Sequence, residues 1–88
     1  MKVDYKQSFL RDLKRINDKT VKGRVHKTID MIKQAEDLNQ VSNLKKLMSG
    51  GGHYRIRIGD YRLGLILDGE TIIFVRFLHR KDLYRYFP

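Results

Sequence analysis

Between His53 and Leu78 three strand-forming runs, HYRIRI, YRLGLIL and TIIFVRFL, are separated by two short pairs of turn residues. Gly59-Asp60 divides the first two runs, and Asp68-Gly69 divides the second and third. Two-residue connections of this composition close antiparallel hairpins, because glycine supplies the positive φ that the favoured turns demand. A chain with both pairs is committed to an antiparallel meander here, and the rest must pack on it. The first turn also sets a register. With Gly59-Asp60 as the loop, Ile58 pairs with Tyr61, Arg57 with Arg62, Ile56 with Leu63, and Arg55 with Gly64. One face then presents Tyr54, Ile56, Ile58, Tyr61, Leu63 and Leu65, a surface fit for a core. The other presents Arg55, Arg57, Arg62 and Gly64, with His53 at its end.

Upstream, Val3 and Tyr5 alternate with charged residues as a short strand would. Phe9, Leu13 and Ile16 recur at helical spacing, with Leu10 widening the stripe. NDKT (17–20) reads as a turn in which Asn17 or Asp18 caps a second helix. That helix carries Val21, Val25, Ile29 and Ile32 on one face. Gly23 within it costs about 1 kcal/mol against alanine. EDLNQVSN (36–43) is a polar connection, and Gly50-Gly51-Gly52 reads as a hinge. The expected fold is α+β, a single domain over residues 1–88. A short N-terminal strand and a two-helix hairpin pack on one face of a twisted antiparallel sheet. Arg76 depends on the second turn. A two-residue Asp68-Gly69 loop puts it on the helix side, and a three-residue loop puts it opposite Arg62.

The 88-residue chain has no cysteine, which suits a reducing compartment. No apolar run approaches the roughly 20 residues of a membrane span, and the N-terminus lacks a signal-peptide core. The expectation is a cytoplasmic protein with no membrane partner. The net charge of +9 is spread almost evenly over the two halves. Such a surface attracts polyanions, nucleic acid first and an acidic protein second. Solubility alone would also account for it.

The arginine face sharpens the question. Like charges directly opposite on a sheet repel, so Arg57 against Arg62 carries a local penalty that a bound anion would relieve. Planar guanidinium groups grip phosphate oxygens bidentately. Gly64, opposite Arg55, leaves an open floor beside them. The alternative is an ordinary solvated sheet face. Beyond the last strand, HRKDLY gathers His79, Arg80, Lys81 and Tyr84. A histidine exchanges protons near neutrality, an arginine stabilises a dianionic phosphorane, and a tyrosine stacks on a base or orients a phosphate. These are components of metal-free RNA cleavage, in which a 2′-OH attacks its own phosphate. A basic tail with tucked aromatics would carry the same residues. Lys45 and Lys46 are candidate contacts to RNA backbone, or a solvated pair. Asp4, Asp12, Asp18, Asp30, Glu36 and Asp37 read as surface ion-pair partners. No carboxylate or histidine spacing suggests a metal site, and GGGH lacks the Lys-Ser/Thr of a phosphate loop.

LKKLMSGGGHYRIRIGDYRLGLI followed by TIIFVRFLHRKDLY resembles the RelE/ParE superfamily of toxin–antitoxin toxins, over essentially the whole chain. The resemblance implies a RelE-like microbial RNase fold. The RelE-like branch consists of mRNA interferases, endoribonucleases that cut mRNA, often in the ribosomal A site, and need no metal or other cofactor. By that resemblance Arg62 contacts the scissile phosphate. Arg55 and Arg57 replace the basic residues, commonly lysines, of the preceding strand. Arg80 acts as acid or stabilises the transition state, and Tyr84 lies near the substrate. Relatives with a histidine at the position of His79 use it in catalysis, and His79, His53 and Lys81 are candidates for the general base. The implied partners are mRNA, the ribosome and a cognate antitoxin that wraps the toxin and neutralises its basic face. A ParE-like branch shares the fold, inhibits DNA gyrase and lacks this set. A non-catalytic RNA-binding module is a third reading.

Overall fold

A computed structural model of the chain describes residues 1–47 and 51–88. The elements run β1 (Lys2–Tyr5), α1 (Gln7–Lys14), α2 (Lys19–Gln34), β2 (Leu44–Lys46), β3 (His53–Ile58), β4 (Tyr61–Asp68), β5 (Thr71–His79) and α3 (Leu83–Tyr86). The strands form one sheet in the order β1-β5-β4-β3-β2.

The β3–β4 hairpin has the register expected from its turn, with Arg57 opposite Arg62 and Arg55 opposite Gly64. Gly59 takes the positive φ (59°) that this turn requires. The second turn differs from expectation. Asp68 pairs with Thr71, so the loop residues are Gly69-Glu70, one position later than Asp68-Gly69. Farther along, Leu65 faces Phe74 but Gly64 faces Arg76, which leaves Val75 as an extra, bulged residue. The bulge overturns both expectations for Arg76. It stands neither on the helix side nor opposite Arg62, but opposite Gly64.

The sheet is also mixed, not wholly antiparallel: β1 pairs with β5 in parallel. β2, which the sequence pattern did not reveal, extends the other edge against β3. The Gly50 end of the expected hinge lies outside the described residues. Gly52 does not behave as one, because its carbonyl accepts the Leu67 N–H at 2.9 Å, tying it to β4.

Both helices lie on the apolar face. Phe9 of α1 and Val25, Ile29 and Ile32 of α2 are buried against Ile56, Ile58, Leu63, Leu65, Phe74 and Phe77. Leu10 is 43% exposed and adds nothing to the α1 stripe, contrary to expectation. Asp18, not Asn17, caps α2 by accepting the Thr20 and Val21 N–H groups, a contribution of about 1 kcal/mol. Among the described residues no helix is long and apolar enough to cross a membrane.

The short β1 leaves an edge to close. It covers β5 only as far as Phe74, so the strand beyond has exposed backbone groups on that side. α1 supplies the partners. The Lys6 N–H donates to the Phe74 carbonyl (2.9 Å), the Ser8 hydroxyl donates to the Val75 carbonyl (2.6 Å), and the Phe77 N–H donates to the Asp12 carboxylate (3.0 Å). Asp12 is therefore 3% exposed, where the sequence reading had placed it on the surface.

Candidate functional site

The face opposite the helices is built in rows. The registers align Lys45, Arg55, Gly64 and Arg76 across four strands, and Arg57, Arg62 and Leu78 in the next row. The floor at Gly64 is not open as expected. The Phe87 ring lies there, so close that a Cβ on Gly64 would come within 2.7 Å of it. Phe87 is 2% exposed, and Leu83 is fully buried. The Phe87 N–H donates to the Leu83 carbonyl (2.8 Å), and the His53 ring meets the edge of Phe87 at 5.4 Å. The C-terminal segment thus crosses the arginine face and restricts where an anion can bind.

The free part of that face centres on Arg62. Its Nη1 donates to the carbonyls of Gly59 and Tyr61, both at 2.9 Å, which folds the side chain back over the turn. Burial holds its guanidinium below the ordinary arginine value, and Arg55, Arg57 and Arg80 push in the same direction, while Tyr84 works the other way. Three further cationic side chains and a tyrosine are therefore within electrostatic reach of Arg62. The Arg80 N–H donates to the Asp60 carbonyl (2.8 Å), which ties the start of the tail to the first turn. Arg55 donates from Nη1 to the Asn43 carbonyl (3.1 Å), and its Nε is buried without a hydrogen-bond partner among the described residues. The one salt bridge among those residues belongs to Arg76, so Arg55, Arg57, Arg62 and Arg80 have no ion-pair partner among them. Planar cations in that state form a receptor for phosphate oxygens.

Of the residues singled out in the sequence, Arg57 pairs with Arg62, Arg55, Arg80 and Tyr84 lie within electrostatic reach of Arg62, and Tyr84 is 58% exposed. His79 does not join them. It pairs with Tyr61, meets that ring edge-on at 5.8 Å on the helix-side face, and accepts the Lys81 N–H at Nδ1 (3.2 Å). His53 stands against Phe87, beyond Arg55. Lys45 shares the Arg55 row, whereas Lys46 pairs with Tyr54 and so belongs to the other face. Lys81 is exposed at the start of the tail.

Sequence reasoning missed Asp12, Arg76, Tyr86 and Phe87. A signal existed for the first two. Asp12 lies three residues after Phe9, on the buried stripe of its helix, and Arg76 interrupts the apolar run TIIFVRFL.

A concavity of about 830 Å³ lies elsewhere and has Glu36, Asp37 and Glu70 among its lining, a poor seat for an anion. A smaller cleft of about 230 Å³ runs from Arg57 to Arg24 and Lys27 of α2 and extends the basic surface.

The chain is thus a small α+β domain, a mixed sheet with a helical hairpin on one face and, on the other, an arginine-rich surface crossed in part by the C-terminal segment. Residues 3–84 match the family model for the ParE toxin of type II toxin–antitoxin systems. The chain is 39% identical over 89 residues to Toxin RelE3 of Methanocaldococcus jannaschii, covering all of both sequences. It superposes with a TM-score of 0.83 on a chain of the RelB–RelE antitoxin–toxin complex of Methanococcus jannaschii, at 36% identity over 97% of this chain and 99% of that one. An archaeal RelE–RelB complex from Pyrococcus horikoshii matches in fold, with a TM-score of 0.74 at 21% identity over 93% of this chain and 97% of the other. The chain belongs to the RelE/ParE superfamily, the toxins of type II toxin–antitoxin systems.

Proposed function

We propose that this toxin is an endoribonuclease that cleaves mRNA on the ribosome and so inhibits translation. The observation that carries the reading is the convergence of Arg55, Arg57, Arg80 and the exposed Tyr84 on Arg62, the four arginines having no ion-pair partner among the described residues. In such a reaction the 2′-OH gives its proton to water as it bonds to the adjacent phosphorus, the bond to the 5′ oxygen breaks, and that oxygen takes up a proton, which leaves a 2′,3′-cyclic phosphate and a 5′-OH. Negative charge builds on the phosphorane oxygens. Guanidinium groups fixed in advance stabilise that charge and take the place a metal ion would otherwise fill. Arg62, half-buried and immobilised by two turn carbonyls, holds the phosphate. Arg55 and Arg57 grip its flanks, and Lys45 and the Arg24–Lys27 cleft follow the backbone. Arg80 lies on the tail side, where it balances charge on the leaving oxygen. Tyr84 stacks on a base or orients the phosphate. This reading gives His79, whose ring lies against Tyr61 across the sheet, no direct role.

The same cluster suits an acidic partner. Two relatives of known structure were solved as complexes of RelE with RelB, and a cognate antitoxin that covers the arginine face would silence this chain. The family model bears the ParE name, which keeps a gyrase-directed toxin as the second reading. Mapping mRNA 5′ ends by primer extension after induced expression separates the two. The nuclease gives new ends within translated codons that vanish in Arg62→Ala. A toxic chain that produces no mRNA ends but traps cleaved DNA on gyrase would establish the second reading.

A further inference from the structure

The segment after β5 is too short to hold itself in place, since a four-residue helix is not stable alone. It is held by the burial of Leu83, by Phe87 on Gly64, and at a third point. There the Tyr86 ring lies over the Arg76 guanidinium, 5.1 Å from carbon to ring centroid. Arg76 cannot follow the ring, because Asp12 grips it from below. Arg76 donates from Nε at 2.7 Å and from Nη2 at 3.1 Å to the two carboxylate oxygens. The same carboxylate takes the Phe77 N–H and is anchored in α1. A guanidinium held by its edge offers its flat face to an aromatic ring. Tyr84 lies two residues before Tyr86 in the same helical turn, so whatever orients α3 also orients Tyr84. The Val75 bulge gives this arrangement a purpose. It moves Arg76 off the helix side, where the unbulged register would place it, onto the face the tail crosses.

We propose that Arg76, clamped by Asp12, is a positioning residue: it seats Tyr86, fixes α3 and so holds Tyr84 beside the Arg62 anion site. The functional half of this inference rests on the ribonuclease reading, and the experiment has an arm that does not.

The first arm follows amide exchange by NMR in the full chain, with Arg76→Gln, Tyr86→Ala and Tyr86→Phe compared with wild type. Arg76→Gln and Tyr86→Ala speed exchange at residues 83–87 on the order of tenfold and leave α2 and β3 protected, whereas Tyr86→Phe keeps the ring and behaves as wild type. The second arm measures single-turnover cleavage of ribosome-bound mRNA, and affinity for the same RNA blocked by 2′-O-methylation. The cleavage rate falls by up to about 100-fold in the two loosened variants, with affinity nearly unchanged. The Tyr86 variants leave the β5 edge intact, so they decide the matter even if Arg76→Gln folds poorly. Unchanged exchange at 83–87 in Tyr86→Ala overturns the inference, and so does a loosened tail with wild-type cleavage. A wild-type chain that cuts no RNA removes the ribonuclease reading, and the exchange arm still settles whether Arg76 anchors α3.

Discussion

Phe87 rests directly on Gly64, and the contact leaves no room for one more carbon between them. Gly64 has no positive φ, so alanine suits its backbone and only the ring stands in the way. Gly64→Ala should therefore lose about 1–3 kcal/mol of stability through overpacking. The loss should vanish when Phe87 is already alanine, because the obstructing ring is gone. Urea unfolding of the two single variants and the double variant tests this as a cycle. Additive losses would mean that Gly64 is small for some other reason.

That contact also shows where sequence reasoning stopped. The β3–β4 register and the two faces were legible because a two-residue turn and strict alternation leave no freedom: a one-residue slip would bury Arg55 and Arg57. α2 was legible from Val25, Ile29 and Ile32, a full helical stripe. The Val75 bulge was not, since alternation through TIIFVRFL reads equally well without it. It is stabilised by Asp12, 64 residues away from Arg76. The seat of Phe87 was hidden for the same reason. A glycine in a strand announces a close approach but not what approaches. β2 is three residues long and carries two lysines, too little for any period to show.

Arg57 and Arg62 pair directly across the hairpin, and the structure gives neither an ion-pair partner among the described residues. Arg57→Gln should raise stability at low salt by about 0.2–1 kcal/mol, because the cross-strand repulsion disappears. The gain should fade as salt screens the charges. RNA binding should weaken in the same variant, and the slope of log affinity against log salt should drop by about 0.7 for one lost phosphate contact on a single strand. Thermal unfolding and fluorescence anisotropy, each across a salt series, measure the two effects. A variant that loses stability at low salt would show that Arg57 is paired with something other than Arg62.

Tyr84 and His79 should part company in activity. Tyr84→Phe removes the hydroxyl beside Arg62 and should slow cleavage by about 10- to 100-fold, whereas His79→Gln, across the sheet, should stay within about threefold of wild type. Acidity supports the distinction. Burial and neighbouring arginines lower the Arg62 value, so its cationic form is disfavoured in the fold at every pH below that value. The penalty lifts only under strongly alkaline conditions, as Arg62 deprotonates ahead of the unfolded chain. Because the ordinary value of an arginine lies so far above neutrality, Arg62 should add no pH dependence to stability or cleavage between about pH 6 and 9. Single-turnover rates across that range test both statements. A limb within that range that disappears in His79→Gln would restore His79 to the chemistry.

The Asp12–Arg76 pair makes the sharpest stability prediction. Asp12→Asn keeps an acceptor for the Phe77 N–H but strips Arg76 of its counter-charge. Breaking a buried pair on one side costs about 3–5 kcal/mol, and the partly exposed Arg76 places this case near 3 kcal/mol. Arg76→Met alone strands the Asp12 carboxylate, which is 2% exposed, and should be the more damaging change. Removing both charges, in Asp12→Asn with Arg76→Met, should recover much of the loss, since no unpaired charge stays inside. Urea midpoints of the three variants order these outcomes. If Asp12→Asn unfolds at the wild-type midpoint, the carboxylate matters only as an acceptor for the β5 edge, and the charge of the pair contributes nothing.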